Sequence, residues 1–391
     1  MGDIQLMSGL KAVGIATLAV SLLGTPPLLA QQQQRPATPP PPTDDVGPDQ
    51  SSSPVILKKK PATGDQEPPP PAPEQEQIKN PKGLENYSIR VDVPVVTVDV
   101  SVQLQKTGQF VPGLHAGNFR VTEDGVEQKI TDVRMQQKPI TAVLLLEFAA
   151  NSWAFIQDMQ QGSYVFFKQL RPEDYIAVVT YDLRTHILTD FTKDKSITAD
   201  ALRSLTIPGF SDTNEFDALY ETLDRLTRID GRKYIILISS GRDTFSKLTL
   251  DKILKKVKET PNVTIYTVST GGMARELADA RGRMGGMARM DYLQADNQMR
   301  TFSSLTGGQS YFPIFQGALP EVFNSINASI RNQYVLTYHP TNTAQDGTYR
   351  KIKVELVDRE GQPLKMVDEK NKQIKYSVIS RDGYRSRMPV E

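Results

Sequence analysis

A nearly continuous apolar run, Ala142-Val143-Leu144-Leu145-Leu146, ends at the acidic residue Glu147 near the middle of the chain. A strand that is apolar on both faces is buried on both faces, and such strands belong to parallel sheets that helices cover on both sides. Ligands of these sheets bind beyond the carboxyl ends of the strands. The run therefore predicts an α/β domain with its site at Glu147 and in the residues that follow.

Apolar strands and stretches of helical periodicity alternate over residues 139–331. Strands are predicted at residues 175–181, 186–191, 234–239 and 263–269, with the first two in a hairpin, and helices at 152–170, 214–227, 249–258, 294–305 and 320–331. The glycine-rich segment 282–290 is predicted to be a surface loop. This order predicts a doubly wound, mostly parallel sheet.

Two flanking segments, residues 87–138 and 332–391, alternate apolar and polar residues with period two. This pattern is typical of antiparallel strands with one buried face, and a hairpin is predicted from Phe119 through Asp124-Gly125 to a return strand at 128–133. Each flank is short for a core of its own, because small isolated sheets are marginally stable. We expect the flanks to form one β-sandwich into which the α/β domain is inserted, since the termini of a domain usually lie close together.

The first 86 residues are predicted to precede the folded part. Residues 1–30 resemble a secretory signal peptide, with an apolar stretch at 12–24 and cleavage predicted after Ala30; an uncleaved anchor is the alternative. A membrane span needs about 20 apolar residues, so cleavage is favoured and no stable transmembrane span is expected afterwards. The Pro- and Gln-rich residues 31–86 are predicted to be an extended linker. We therefore expect an exported protein, located in the periplasm, in the outer envelope or outside the cell.

The composition argues against several classes of function. Lys and Arg number 46 and Asp and Glu 45, so the net charge of +1 provides no field that would attract nucleic acid. The chain has no cysteine, which excludes thiolate metal sites and cysteine nucleophiles. The three histidines, His115, His186 and His339, lie in separate predicted elements without metal-ligand spacing. We expect neither nucleic-acid binding nor catalysis.

The residues after the first α/β strand resemble the metal-ion-dependent adhesion site of von Willebrand factor A domains. The family pattern has an Asp-x-Ser-x-Ser turn after the first strand, a threonine in a later loop and an aspartate after the fourth strand. The corresponding residues here are Glu147, Ala149, Asn151, Thr213 and Ser240, of which Thr213 alone is unaltered. Trp153 follows the turn and is expected to pack with the first helix rather than to anchor a ligand.

These departures bear on the metal that the family would bind. Mg²⁺ requires near-octahedral oxygen ligands at about 2.0 to 2.1 Å, and the substitutions remove ligands and charge. The resemblance therefore implies an altered adhesion site without a tightly bound cofactor. Asp212 and Asp243 are close enough in sequence to join Glu147 and Thr213, and weak binding of Mg²⁺ or Ca²⁺ through these four residues is the alternative.

A second resemblance covers most of the chain from residue 89 to residue 384. Its motifs are Val111–Leu114, Asn118–Ile130, Leu305–Gly308, Gln333–Pro340 and Asp382–Tyr384. Together they resemble the von Willebrand factor A-related domain family described from Acidobacteria. This resemblance implies an exported bacterial protein with an A-type domain between β flanks and no settled biochemical activity.

Three functions are compatible with this sequence. The favoured hypothesis is a non-catalytic adhesion protein that contacts a protein or glycan partner in the envelope or outside the cell through Glu147, Asn151, Thr213 and Ser240. The second is a structural scaffold of an envelope assembly whose adhesion site is unused. The third is ligand binding that depends on Mg²⁺ or Ca²⁺ at a modified site.

Overall fold

The structure, a computed structural model, describes residues 94–282, 285–315, 317–368 and 370–388. The predicted signal peptide and linker, residues 1–86, and the start of the N-terminal β segment, residues 87–93, lie outside this part. Residues 85–391 belong to one compact unit. No helix in the described part is long and apolar enough to cross a membrane.

The N-terminal flank contains four strands. They are β1 (Val96–Leu104), β2 (Phe119–Glu123), β3 (Val126–Gln128) and β4 (Ile130–Met135). The central segment begins with β5 (Ile140–Glu147), a short 3-10 helix (Ala150–Phe155), α1 (Ile156–Gln169), β6 (Tyr175–Tyr181), β7 (Thr185–Thr192), α2 (Lys195–Arg203) and α3 (Glu215–Thr227). It continues with β8 (Arg232–Ser239), α4 (Leu250–Glu259), β9 (Val263–Ser269), α5 (Gly271–Ala280), α6 (Gly286–Thr306), β10 (Ser310–Tyr311) and α7 (Leu319–Arg331).

The C-terminal flank supplies the remaining strands. They are β11 (Tyr334–Tyr338), β12 (Tyr349–Leu356), β13 (Met366–Val367), β14 (Gln373–Ile374), β15 (Tyr376–Ser380) and β16 (Gly383–Arg385). Strands β13 and β14 pair with each other as a small separate hairpin. The other strands join those of the N-terminal flank.

The central segment forms the predicted α/β sheet. Its strand order is β10-β9-β8-β5-β6-β7, and the pairs are parallel except that β7 runs antiparallel to β6. Every residue of β5 is buried, as the continuous apolar run predicts. Helices α1 and α7 pack on one face of the sheet through Phe166 and Phe323, and α3, α4 and α6 pack on the other. The predicted fold class is confirmed.

Helices α2 and α5 were not predicted, and α6 begins at residue 286 rather than near 294. Helix α2 buries only Thr198 and Leu202, so its sequence has little apolar periodicity; Asp194 caps it by accepting the backbone N–H of Ser196 at 2.9 Å. Residues 286–290, predicted to be a loop, form the first turn of α6. Packing of the later turns through Met299 fixes this helix despite the glycines at its N-cap and first position.

The two flanks combine in one β-sandwich. Its sheets have the strand orders β15-β1-β11-β4 and β16-β12-β2-β3, so each sheet contains strands from both ends of the described chain. The inward faces contribute Val98, Val121, Leu336 and Val354 to one apolar core. This arrangement follows from period-two alternation, which gives each strand a single apolar face to bury.

One prediction for the sandwich was wrong. The strand predicted at 128–133 as the return of the β2 hairpin is two strands, divided at Lys129. Strand β3 pairs with β2, whereas β4 passes to the other sheet and pairs with β11. The change of sheet allows Val133 to pack against the core between the sheets, which hydropathy alternation along the segment does not reveal.

The α/β domain is connected to the sandwich by two adjacent segments. The backbone N–H of Gln136, before β5, donates to the carbonyl of Gln333, after α7, at 2.9 Å. Asp174, at the start of β6, is fully buried, accepts the N–H of Ile140 at 3.0 Å and forms an ion pair with Arg331. These contacts hold the first strand and last helix of the α/β domain together at its base.

Candidate functional site

Three neighbouring strands bring polar residues to the carboxyl edge of the central sheet. The parallel register sets Glu147, the last residue of β5, beside Tyr181, the last residue of β6. Strand β8 lies on the other side of β5 and ends at Ser239. Helix α3 begins at this edge with Glu215. A sheet of this order therefore gathers four residues that are far apart in the sequence.

These four residues form a buried network, here called the Ser239 cluster (Glu147, Tyr181, Glu215 and Ser239). The Ser239 hydroxyl lies 2.9 Å from Oε2 of Glu147, 2.7 Å from the Tyr181 hydroxyl, and in hydrogen-bond contact with Oε2 of Glu215. The backbone N–H of Ser240 also donates to Oε2 of Glu147 at 2.5 Å. All four side chains are buried, with Glu147 only 1% exposed.

The protons of this cluster can be counted. Ser239 has one hydroxyl proton, and if it is donated to Glu147, the contact with Glu215 requires a proton on the Glu215 carboxyl. Burial raises the pKa of Glu215 to about 8, and the nearby Glu147 adds to the rise, so Glu215 is largely protonated at neutral pH. Burial also raises the pKa of Glu147 and, well above its usual value, that of Tyr181. The cluster thus holds two carboxyl groups without a neighbouring cation in contact.

Two loops above the cluster are joined by hydrogen bonds of Thr213, Ser240, Asp212 and Asp243. The Thr213 hydroxyl donates to the carbonyl of Arg242 at 2.5 Å, and Oγ of Ser240 accepts the N–H of Arg242 at 3.3 Å. Asp243 accepts the N–H of Phe216 at 3.2 Å and the Ser246 hydroxyl at 2.5 Å. Asp212 is exposed and accepts the Thr244 hydroxyl at 3.3 Å. These residues fix the loops before α3 and after β8 against each other.

This set of side chains does not fit the octahedral Mg²⁺ of the A-domain family. Ala149 supplies no oxygen, Glu147 is engaged by Ser239 and Ser240, and the Thr213 hydroxyl is donated to a carbonyl. The side chain of Asn151 lies outside the described part. Among the described residues, no group of three or more His, Asp or Glu side chains is arranged to hold a metal ion. The side chains at Glu147 and Thr213 are thus engaged in hydrogen bonds within the protein.

The sequence-predicted binding residues also differ from expectation in their exposure. Glu147, Thr213 and Ser240 are each buried, at 1%, 3% and 9% exposure. Side chains buried to this degree offer little surface to a macromolecular partner. Their hydrogen bonds instead position the loops of the surface above them. Sequence reasoning also missed Glu215, although an acidic residue two positions after Thr213 at the start of a helix was a signal for it.

Large apolar side chains surround this site on the surface. Trp153, Ile207, Phe210 and Phe245 are 44%, 78%, 50% and 59% exposed. Their loops are joined, since the N–H of Ala150 donates to the carbonyl of Phe210 at 2.7 Å, and the N–H of Phe245 donates to that of Thr213 at 2.9 Å. We call these four residues the apolar rim. Trp153, which was expected to pack with the first helix, is 44% exposed in the short 3-10 helix that leads into α1, whereas Phe155 and Ile156 are buried.

Solved structures similar to this chain include several von Willebrand factor A domains. The vWF domain of the type V pili tip protein Mfa5 from Porphyromonas gingivalis has 14% identity, covers 49% of this chain and 95% of that chain, and has a TM-score of 0.38. The von Willebrand factor type A structure from Catenulispora acidiphila has 10% identity, coverages of 77% and 76%, and a TM-score of 0.39. The PilB minor pilin from Streptococcus sanguinis has 11% identity, coverages of 51% and 63%, and a TM-score of 0.38.

At these identities the similarity concerns the fold. The central domain resembles a von Willebrand factor A domain in the layout of its sheet and helices. Its sheet order, its antiparallel edge strand β7 and its helices on both faces agree with the resemblance inferred from the sequence. No protein-family model matches the chain, and no curated protein matches it.

Proposed function

We propose that this protein is an exported, non-catalytic adhesion protein that binds a protein partner, in the cell envelope or outside the cell, through the apolar rim of its A-like domain. The exposure of Trp153, Phe210 and Phe245 on adjoining loops carries this proposal. Exposed apolar groups of this kind mark interaction sites on soluble proteins, and aromatic side chains supply much of the energy of protein interfaces.

The proposed binding does not use a metal ion. A metal-ion-dependent site needs oxygen ligands that are free to coordinate the ion. Here Glu147 is buried and already accepts two hydrogen bonds, and Thr213 donates to the backbone. The Ser239 cluster acts in this proposal as a support that holds the rim loops in place. Export follows from the predicted signal peptide and remains part of the proposal.

Affinity capture tests this function. The full-length protein, immobilised through a tag, is incubated with envelope extract in EDTA, and the captured proteins are quantified by mass spectrometry. We expect Trp153→Ser and Phe210→Ser each to weaken capture by about thirtyfold, the effect of losing a central aromatic contact of about 2 kcal/mol. Val126→Ser is the matched control, because Val126 is 54% exposed on the distant strand β3.

The outcomes separate the three functions. Capture that persists in EDTA and is lost in both rim variants supports adhesion through the apolar rim. Capture that both rim variants retain contradicts it and favours the scaffold hypothesis. Capture that requires added Mg²⁺ or Ca²⁺ and is abolished by Thr213→Ala contradicts metal independence. Melting temperatures of the variants show whether each one is folded.

A further inference from the structure

A second concave region lies at the opposite end of the α/β domain from the apolar rim. It is a cavity of about 1050 Å³ between the base of the α/β sheet and the β-sandwich. Pro139, Arg232 and Asn262, which lie at or just before the first residues of β5, β8 and β9, line one side. The start of β1 and the 342–345 loop line the other side. Its size is at the upper end of the range for small-molecule sites.

The lining of this cavity is strongly basic. Its cationic residues are Arg134, Lys138, Arg232, Arg350, Arg381, Arg385 and Arg387, whereas its acidic residues are Asp99 and Glu259. The chain as a whole has a net charge of only +1. Arg134, Arg350 and Arg385 have carboxylate partners in Asp132, Glu123 and Glu259, and the remaining positive charge lies in one concave region, where low-dielectric walls strengthen its field.

Some of these arginines are incompletely paired. Arg232 lies 2.5 Å from Asp99 through Nη2, but its Nη1 is buried without a hydrogen-bond partner among the described residues. The buried Nε of Arg381 has no partner there either. Asp99 interacts electrostatically with both Arg232 and Arg381. One carboxylate between two guanidinium groups leaves a positive charge uncompensated.

Two largely buried guanidinium groups that share one carboxylate are costly, and a bound anion nearby reduces that cost. Guanidinium groups bind carboxylate and phosphate oxygens through paired, charge-assisted hydrogen bonds. We propose that this cavity binds a ligand with carboxylate or phosphate groups, whose negative charge compensates the guanidinium groups of Arg232 and Arg381. Lys138, exposed at the cavity wall, attracts the same ligand, and Met135 and Pro261 contact its apolar part.

Calorimetric titration of the full-length protein tests this site. The probes are citrate, inorganic phosphate and a hexaglutamate peptide, each compared with chloride at equal ionic strength. We expect saturable binding of at least one probe at millimolar concentration or below. Citrate or phosphate binding identifies a small free anion as the ligand type, and binding of hexaglutamate alone identifies an acidic chain segment.

Variants of opposite expected sign make the test specific. Arg381→Gln should weaken binding by about tenfold, because it removes a positive charge from the cavity wall, and Lys138→Gln, at an exposed charge, should weaken it by a few-fold. Asp99→Asn should strengthen binding, because it removes the carboxylate that competes for both guanidinium groups. Lys106→Gln, at an exposed lysine outside the cavity, should leave the affinity unchanged.

Two results would overturn the proposal. One is the absence of saturable binding for all three probes. The other is an unchanged affinity in Lys138→Gln and Asp99→Asn, both compared with Lys106→Gln. Lys138 is exposed, so its substitution leaves the fold intact even if the buried arginine variant does not fold. The apolar rim is at the other end of the domain, so its variants leave this titration unchanged.

Discussion

At the level of single residues, the Ser239 cluster shows how the domain holds acidic side chains in its interior. Glu147 and Glu215 contact the same serine hydroxyl, and Oε1 of Glu215 is buried without a hydrogen-bond partner among the described residues. Two ionised carboxylates buried side by side, at Glu147 and Glu215, would be strongly unfavourable. A proton on Oε2 of Glu215 relieves the repulsion and allows this carboxyl to donate to the Ser239 hydroxyl. Stability should therefore depend on the charge state of this residue.

The sign of that dependence follows from linkage. The pKa of Glu215 is 4.5 in a model peptide and about 8 in the folded protein, because burial and Glu147 disfavour its charge. Its stabilising effect is therefore complete below about pH 4.5 and is lost as the pH rises toward 8. The unmodified protein should lose a few kcal/mol of its free energy of unfolding between pH 5 and 8.5. Glutamine cannot ionise, so we expect this loss to be absent in Glu215→Gln. Melting temperature against pH measures this.

The control for this prediction is Glu276→Gln, which neutralises an exposed glutamate on α5. Its melting curve against pH should run parallel to that of the unmodified protein. If the Glu215→Gln curve is also parallel, the carboxyl of Glu215 does not carry the pH dependence. The proton count given for the Ser239 cluster would then be wrong.

At the level of secondary-structure elements, the turn after α6 explains a motif that the sequence supplied only as a resemblance. Gly307 ends α6 with a φ of 77°, in the left-handed region where glycine is favoured. A Cβ atom on Gly307 would lie 2.6 Å from the backbone N of Arg381, in the sandwich. One on Gly308 would lie 1.9 Å from the carbonyl oxygen of Ile265 in β9. The two glycines thus allow the turn after α6 to lie close to the backbone of Arg381 on one side and to that of Ile265 on the other.

Gly308→Ala should be strongly destabilising. The Cβ would overlap a backbone carbonyl in a buried strand, so β9 or the turn must move, and we expect a loss of about 3 kcal/mol or more in the free energy of unfolding. Urea denaturation of the full-length protein measures it. Gly117→Ala is the control, because a Cβ there meets no atom within 4 Å. A loss in Gly308→Ala no greater than in the control would contradict the close approach.

At the level of the whole molecule, the two ends of the folded chain depend on each other. Strand β1 is paired with β11 on one side and β15 on the other, and β2 is paired with β12. The core residues Val98 and Val121 are therefore covered only when the C-terminal flank is in place. The α/β domain has two apolar clusters of its own, one on each face of its sheet.

Truncation after Arg331 tests this dependence. We expect the amides of β1 to lose their protection from hydrogen exchange, because both pairing partners, β11 and β15, are missing. Strand β2 loses β12 and half of its core but keeps β3, so its protection should fall as well. Amides of β5 and β8 should keep substantial protection, since both strands are central in the α/β sheet. Removal of residues 1–86 is the control and should leave both sets protected. Protected β1 amides in the truncated chain would contradict the interleaved sandwich.

The sequence by itself determined the fold class and the place of the site. A strand with a continuous apolar run is buried on both faces, and a strand that alternates apolar and polar residues is buried on one face. The burial of β5 and of the sandwich strands therefore follows from hydropathy. The same run located Glu147 at the carboxyl edge of the sheet. These features are local: each is set by residues within one element, and burial of apolar surface is enough to specify them.

Tertiary structure alone decided what the site is made of. Glu147 meets Ser239 across 92 positions of sequence, and Ser239 meets Glu215 across 24, because parallel strands and a helix start converge at one edge. Hydropathy predicts which face of an element is buried but does not predict which distant element packs against that face. For this reason the burial of Glu147, the exposure of Trp153 and the change of sheet between β3 and β4 were settled by packing between elements rather than by local sequence.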